Sequence, residues 1–175
     1  MKTKLLIVIG VATATGLYAD TPIQLSLVPD IALYPRTTTV TGLSLNIWGE
    51  NPQMSLHIGL VNGSTGDSGG LSWGPINYSD SFRGVQLGWV NVSKENFSGW
   101  QQGYINVSQG TFTGLQSGLV NVSEDTTGLQ LGVVNYAEKL KGVQIGLVNL
   151  AMNNPCFTEL PDKLAPGFPI LNWSF

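Results

Sequence analysis

The chain reads as an all-β protein, and three observations carry that expectation. An eight-residue frame, Gly-x-Gln-x-Gly-x-Val/Ile-Asn, recurs at intervals of 14 or 15 residues. Within each copy apolar residues alternate with small or polar ones, the period of a half-buried strand. Valine, isoleucine and aromatics are frequent, as suits strands, whereas paired glycines would each cost about 1 kcal/mol in a helix interior. The expected architecture is an antiparallel meander closing into a small outer-membrane-type β-barrel. The alternative is a parallel β-solenoid with coils of 14–15 residues.

The asparagines set the register: Asn62, Asn77, Asn91, Asn106, Asn121, Asn135 and Asn149. Full copies run Gly84 to Asn91, Gly99 to Asn106, Gly114 to Asn121, Gly128 to Asn135 and Gly142 to Asn149. Their glutamines are Gln86, Gln101, Gln116, Gln130 and Gln144. These glutamines and the asparagines that follow them are the candidate structural residues of the repeat. Ser55 to Asn62 and Gly70 to Asn77 are looser copies, with His57 and Ser72 in the glutamine position. Gly42 to Gly49 is a degenerate first copy. Between copies lie polar links such as Lys94-Glu95-Asn96 and Glu124-Asp125-Thr126, which have turn composition.

The flanks differ. Thr21 to Pro35, TPIQLSLVPDIALYP, predicts one or two broken strands, and residues 152–167 predict a loop. Phe168 to Phe175, FPILNWSF, predicts a final strand with Leu171, Trp173 and Phe175 on one face. A terminal aromatic after alternating apolar residues resembles the last strand of outer-membrane barrels, where it implies recognition by the barrel-assembly machinery. The expected partners are therefore the outer membrane and that machinery.

In the copy starting at Gly84, one face carries Val85, Leu87 and Trp89, and the other Gly84, Gln86 and Gly88. A bulge near Val90 would return Asn91 to the polar side. An apolar outside around a Gly/Gln/Asn inside is a barrel pattern. Gln102 and Ser117 break it, because they fall on the apolar face. The uniformity of the copies favours the solenoid, in which identical residues form ladders. A closed coil of this length needs two bends, and each copy has one polar turn unless glycines such as Gly88 supply the second. Gly74-Pro75 also predicts a local break, since proline cannot donate to a ladder.

Lys2 and Lys4 precede the apolar run Leu5 to Ala14, which has signal-peptide length. The expected organisation is a leader over 1–19 and one β domain over 20–175, exported to the outer membrane or cell surface. Charged residues make up only 11% of the chain and the net charge is −3, which argues against nucleic-acid binding. A single cysteine, Cys156, rules out an internal disulfide.

Repeats of the form FTGLQxGLVN, behind a signal-peptide-like start and TPIQLSLVPDIALYP and ahead of FPILNWSF, resemble the bacterial surface repeat-containing proteins of spirochaetes and other bacteria. The resemblance covers about Thr21 to Phe175. It implies a surface or outer-envelope location, and no activity, cofactor or catalytic residue.

The residues themselves offer little chemistry. His57 is the sole histidine and replaces a repeat glutamine, so a structural role is expected. Cys156 has no base nearby in sequence, and a nucleophile needs one. No N/S metal set exists, and the repeat strands carry no carboxylate pair. No catalytic, cofactor or metal residue is therefore assigned, and a non-enzymatic protein is expected. Asn91-Val92-Ser93 and Asn106-Val107-Ser108 match a glycosylation triplet but follow from the repeat itself. Trp48, Trp73, Trp89, Trp100, Tyr104 and Trp173 fit an interfacial girdle, a binding stripe or a core.

Overall fold

A computed structural model describes residues 20–175; the expected leader lies outside them. The strands are β1 (Thr21–Val28), β2 (Ile31–Ala32), β3 (Val40–Asn51), β4 (Met54–Trp73), β5 (Ile76–Leu87) and β6 (Val90–Ser93), followed by β7 (Phe97–Gln102), β8 (Ile105–Ser117), β9 (Val120–Leu131), β10 (Val134–Ala151) and β11 (Gly167–Ser174).

Pairing from β3 to β10 is parallel and one repeat apart. Asn77 pairs with Asn91, Asn91 with Asn106, Asn106 with Asn121, and Asn121 with Asn135. The first glycines pair likewise, Gly84 with Gly99, then Gly114, Gly128 and Gly142. An antiparallel meander would instead nest its pairs around each polar link. The fold is a parallel β-solenoid, and the expected antiparallel barrel is overturned. The barrel reading required each copy to be one uninterrupted strand. The chain instead bends at Gly88-Trp89, Gly103-Tyr104, Gly118-Leu119 and Gly132-Val133, so a copy makes two short walls.

In one coil the first wall is Phe97–Gln102 and the second is Ile105–Ser108. The glycine bend joins them at one edge and the polar link at the other. No bulge at Val90 is needed, because the bend itself turns Asn91 inward. Pro75 sits at such a bend, where its carbonyl accepts the Trp89 and Val90 amides at 2.8 and 3.0 Å. The variation between 14 and 15 residues is absorbed in the polar links, where the register shifts between Ser108 and Thr111.

The two ends reverse direction. β2 pairs antiparallel with β1, and β1 adds a coil not read from the sequence, placing Gln24 beside Ser44. β11 pairs antiparallel with the last coil in β10. Residues 152–166 fold over that end, burying Leu164 and Ala165. These caps cover edges that would otherwise template pairing with another chain.

Candidate functional site

The interior is polar. Each full coil turns four positions inward: an aromatic, aliphatic or threonine residue, the glutamine, the asparagine, and a serine or alanine. Gln86, Gln101, Gln116, Gln130 and Gln144 are all completely buried, as are Asn91, Asn106, Asn121, Asn135 and Asn149.

Burying amides without partners would be costly, and ladders supply the partners. Each asparagine from Asn62 to Asn135 donates its Nδ2 to the Oδ1 of the next asparagine toward the C-terminus, at 2.8–2.9 Å. Asn91, Asn106, Asn121 and Asn135 give their second amide hydrogen to the carbonyl of Gln102, Ser117, Leu131 and Ile145. The glutamine ladder runs the other way. Gln144, Gln130, Gln116 and Gln101 donate toward the N-terminus at 2.7–3.1 Å, ending on Gln86. The two rows of side-chain dipoles therefore oppose each other across the interior. Serines join the walls, as where Gln130 donates to Ser123 at 3.0 Å.

The aromatic column escaped the sequence reading. Phe82, Phe97 and Phe112 stack with ring centroids 5.9 and 5.5 Å apart and planes within 15° and 7°. Thr126 and Leu140 continue the column. A phenylalanine nine residues before the asparagine in three successive copies was the available signal.

His57 lies in the glutamine column between Ser44 and Ser72. It is buried, and neither ring nitrogen has a hydrogen-bond partner among the described residues. Burial pushes its pKa down to about 4. An unfolded histidine titrates near 6.5, so the unfolded chain binds the extra proton first. Stability is full above pH 6.5 and falls as the pH drops to about 4, by roughly 3 kcal/mol in all. His57→Gln restores the repeat residue and is expected to abolish that acid loss, read from urea midpoints at pH 7 and pH 4. An unchanged acid loss would place its origin elsewhere.

The outer surface inverts the usual distribution. Val85, Leu115, Leu129 and Val143 face outward along the first wall, and Val92, Val107, Val122 and Tyr136 along the second. Ladder neighbours half-cover them. The glycine edge is barer: Trp89, Tyr104, Leu119, Val133 and Leu147 are 61, 59, 52, 41 and 68% exposed. A groove of about 690 Å³ runs along this edge, lined by Trp73, Trp89, Tyr104 and Leu119 with Gln102 and Ser117. The two residues that broke the apolar pattern thus sit in the groove, and Trp100 donates its indole N–H to Ser117 at 2.9 Å. Trp48, Trp73, Trp89, Trp100 and Tyr104 are exposed, and Trp173 is half-buried.

In the coils from Asp80 to Lys141 the charges sit on the opposite edge or at the wall position beside it. Lys94 pairs with Asp80 at 3.0 Å and Lys139 with Asp125 at 3.1 Å, between successive links. Such exposed pairs contribute little to stability. On the early coils Trp48 donates to the Tyr78 hydroxyl, which donates to Glu50, itself paired with Arg36 at 2.7 Å. Burial and the bond to Glu50 push the Tyr78 phenol up to about 12.

Among the described residues, no group of three or more His, Cys, Asp or Glu is placed to hold a metal. Cys156 is exposed and free. The asparagine and serine of both Asn-x-Ser triplets are buried, so neither is presented for modification. In β11, Asn172 and Ser174 turn inward, while Leu171 and Trp173 lie on the outside; Phe175 follows the strand and is exposed. Trp173 donates to the Pro161 carbonyl at 2.7 Å, tying the end strand to its covering loop. No family model, curated protein or solved structure matches the chain.

Proposed function

We propose that this chain is an exported, non-enzymatic repeat protein of the bacterial cell envelope, acting as a binding module through its outer wall. One observation carries the reading. Amide columns run through the interior beside one short phenylalanine column, and large apolar side chains crowd the outside. Soluble monomers rarely expose contiguous apolar patches beyond a few hundred Å², so this wall is suited to contact. The apolar run after Lys2 and Lys4 supports export, and the repeat's likeness to bacterial surface proteins supports the location. The ladders hold the wall rigid, and a rigid surface loses little entropy on binding.

The test is fractionation of bacterial cells producing the full chain. The protein is expected outside the cytoplasm and retained with the envelope. Replacing wall residues with charged ones is expected to release it. Quantitative recovery from the cytoplasm, or as a free monomer in the medium, would overturn the reading.

A further inference from the structure

Polarity around the coil follows a simple order. From the charged links, the next outward position holds Arg83, Ser98, Thr113, Thr127 and Lys141 in successive coils. The following one holds Val85, Trp100, Leu115, Leu129 and Val143. The glycine bend then presents Trp89, Tyr104, Leu119, Val133 and Leu147. Past it come Val90, Ile105, Val120, Val134 and Val148 on the far wall, before the chain returns to a link. The apolar arc is thus centred on the glycine edge and wraps onto both walls. All charges between Asp80 and Lys141 lie on the other side. This is the polarity of an interfacial amphipathic helix, built on a solenoid.

We infer that the glycine edge is a membrane-interface surface, with the solenoid lying flat and its charged links in water. The inference rests on the proposed contact role of the wall and names what covers it. The shape of the arc selects the occupant. A second copy docking on a flat wall would cover one side and leave the bend and the other wall bare, whereas the interfacial region of a bilayer covers all three. The backbone allows it, because wall amides and carbonyls bond along the axis to neighbouring coils and need no water. Tryptophan and tyrosine at the edge suit headgroup depth, as do Gln102 and Ser117. The links carry both signs, with net negative charge on the whole chain, so binding draws on apolar burial and not on anionic lipid.

The experiment is flotation of the purified full chain with phosphatidylcholine vesicles, with tryptophan quenching by brominated lipid. Binding is expected to these uncharged bilayers and to persist from low salt to about 1 M salt, where charge-driven binding is screened. Leu119→Glu combined with Leu147→Glu is expected to weaken partitioning by about tenfold or more with the fold intact by circular dichroism. Glu124→Gln with Lys139→Gln on the charged edge is expected to change it less than about twofold. Residues 1–19 are common to every variant, so the differences report the edge. Equal binding by all variants, or binding only to anionic vesicles, would overturn the inference. A vesicle-free oligomer dissociated by the Leu119/Leu147 pair would make a second copy the occupant. If vesicles fail while envelope retention in cells still depends on wall residues, the membrane inference falls and the contact role stands.

Discussion

Gly114→Ala is expected to lower the unfolding free energy by roughly 4 kcal/mol or more, through backbone strain plus a clash that no side chain can relieve. Gly114 has φ of 134°, and a Cβ there would sit 2.0 Å from the Gly99 carbonyl oxygen of the preceding coil. That oxygen belongs to the wall ladder and cannot retreat without parting two coils. Gly84, Gly99, Gly128 and Gly142 repeat the geometry, which explains the first glycine of every full copy. Gly66 is the control. It also has positive φ, at 61°, but nothing lies within 4 Å of a Cβ there, so Gly66→Ala is expected to cost only about 1 kcal/mol. Urea midpoints of the two variants, against the parent at pH 7, read the difference. Equal small shifts would mean that the coils separate freely at Gly114.

The second glycine has another task. A Cβ on Gly118 would meet the Gly103 carbonyl oxygen at 2.1 Å and the Asn106 amide nitrogen at 2.8 Å. The bend is therefore tight because the asparagine amide packs beneath it. This is the bend that the barrel reading lacked. Gly88-Trp89 alternates correctly for a straight strand, so the inward and outward faces were legible while the chain path was not. Gln86 and Asn91 are inside and Val85, Leu87 and Trp89 outside in either architecture. Long-range pairing, which decides between them, is not encoded in a period-two pattern. The uniform copies did point to ladders. Phe82, Phe97 and Phe112 were missed because they precede the first glycine and sit among turn-like residues. Gln24 was missed because β1 carries neither glycine of the frame. The groove was half visible: Gln102 and Ser117 stood out as misfits, but only the coil geometry puts them beside Trp89 and Tyr104.

Asn106→Ala is expected to cost roughly 3–5 kcal/mol, because it strands buried polar atoms on both sides. Asn106 accepts from Asn91 at 2.8 Å and donates to Asn121 at 2.9 Å and to the Ser117 carbonyl at 3.0 Å. Alanine leaves one Asn91 hydrogen and the Asn121 oxygen without a partner in a water-excluded interior. Gln102→Leu, on the outward face of the same coil, is expected to shift stability by less than about 0.5 kcal/mol. Asn106→Asp separates ladder chemistry from packing, since it keeps the shape. Its carboxylate accepts from Asn91 but has nothing to donate to Asn121 or Ser117. Burial and the facing oxygens favour the protonated acid, raising its folded pKa above the ordinary value of about 3.9. Stability is then present below that value and lost as the pH rises through the folded pKa. In the His57→Gln background, which removes the opposing acid loss, the aspartate variant is expected to be more stable at pH 4 than at pH 7. A flat pH profile, together with an alanine loss below about 1 kcal/mol, would mean that stacked asparagines fill the interior without holding the coils together.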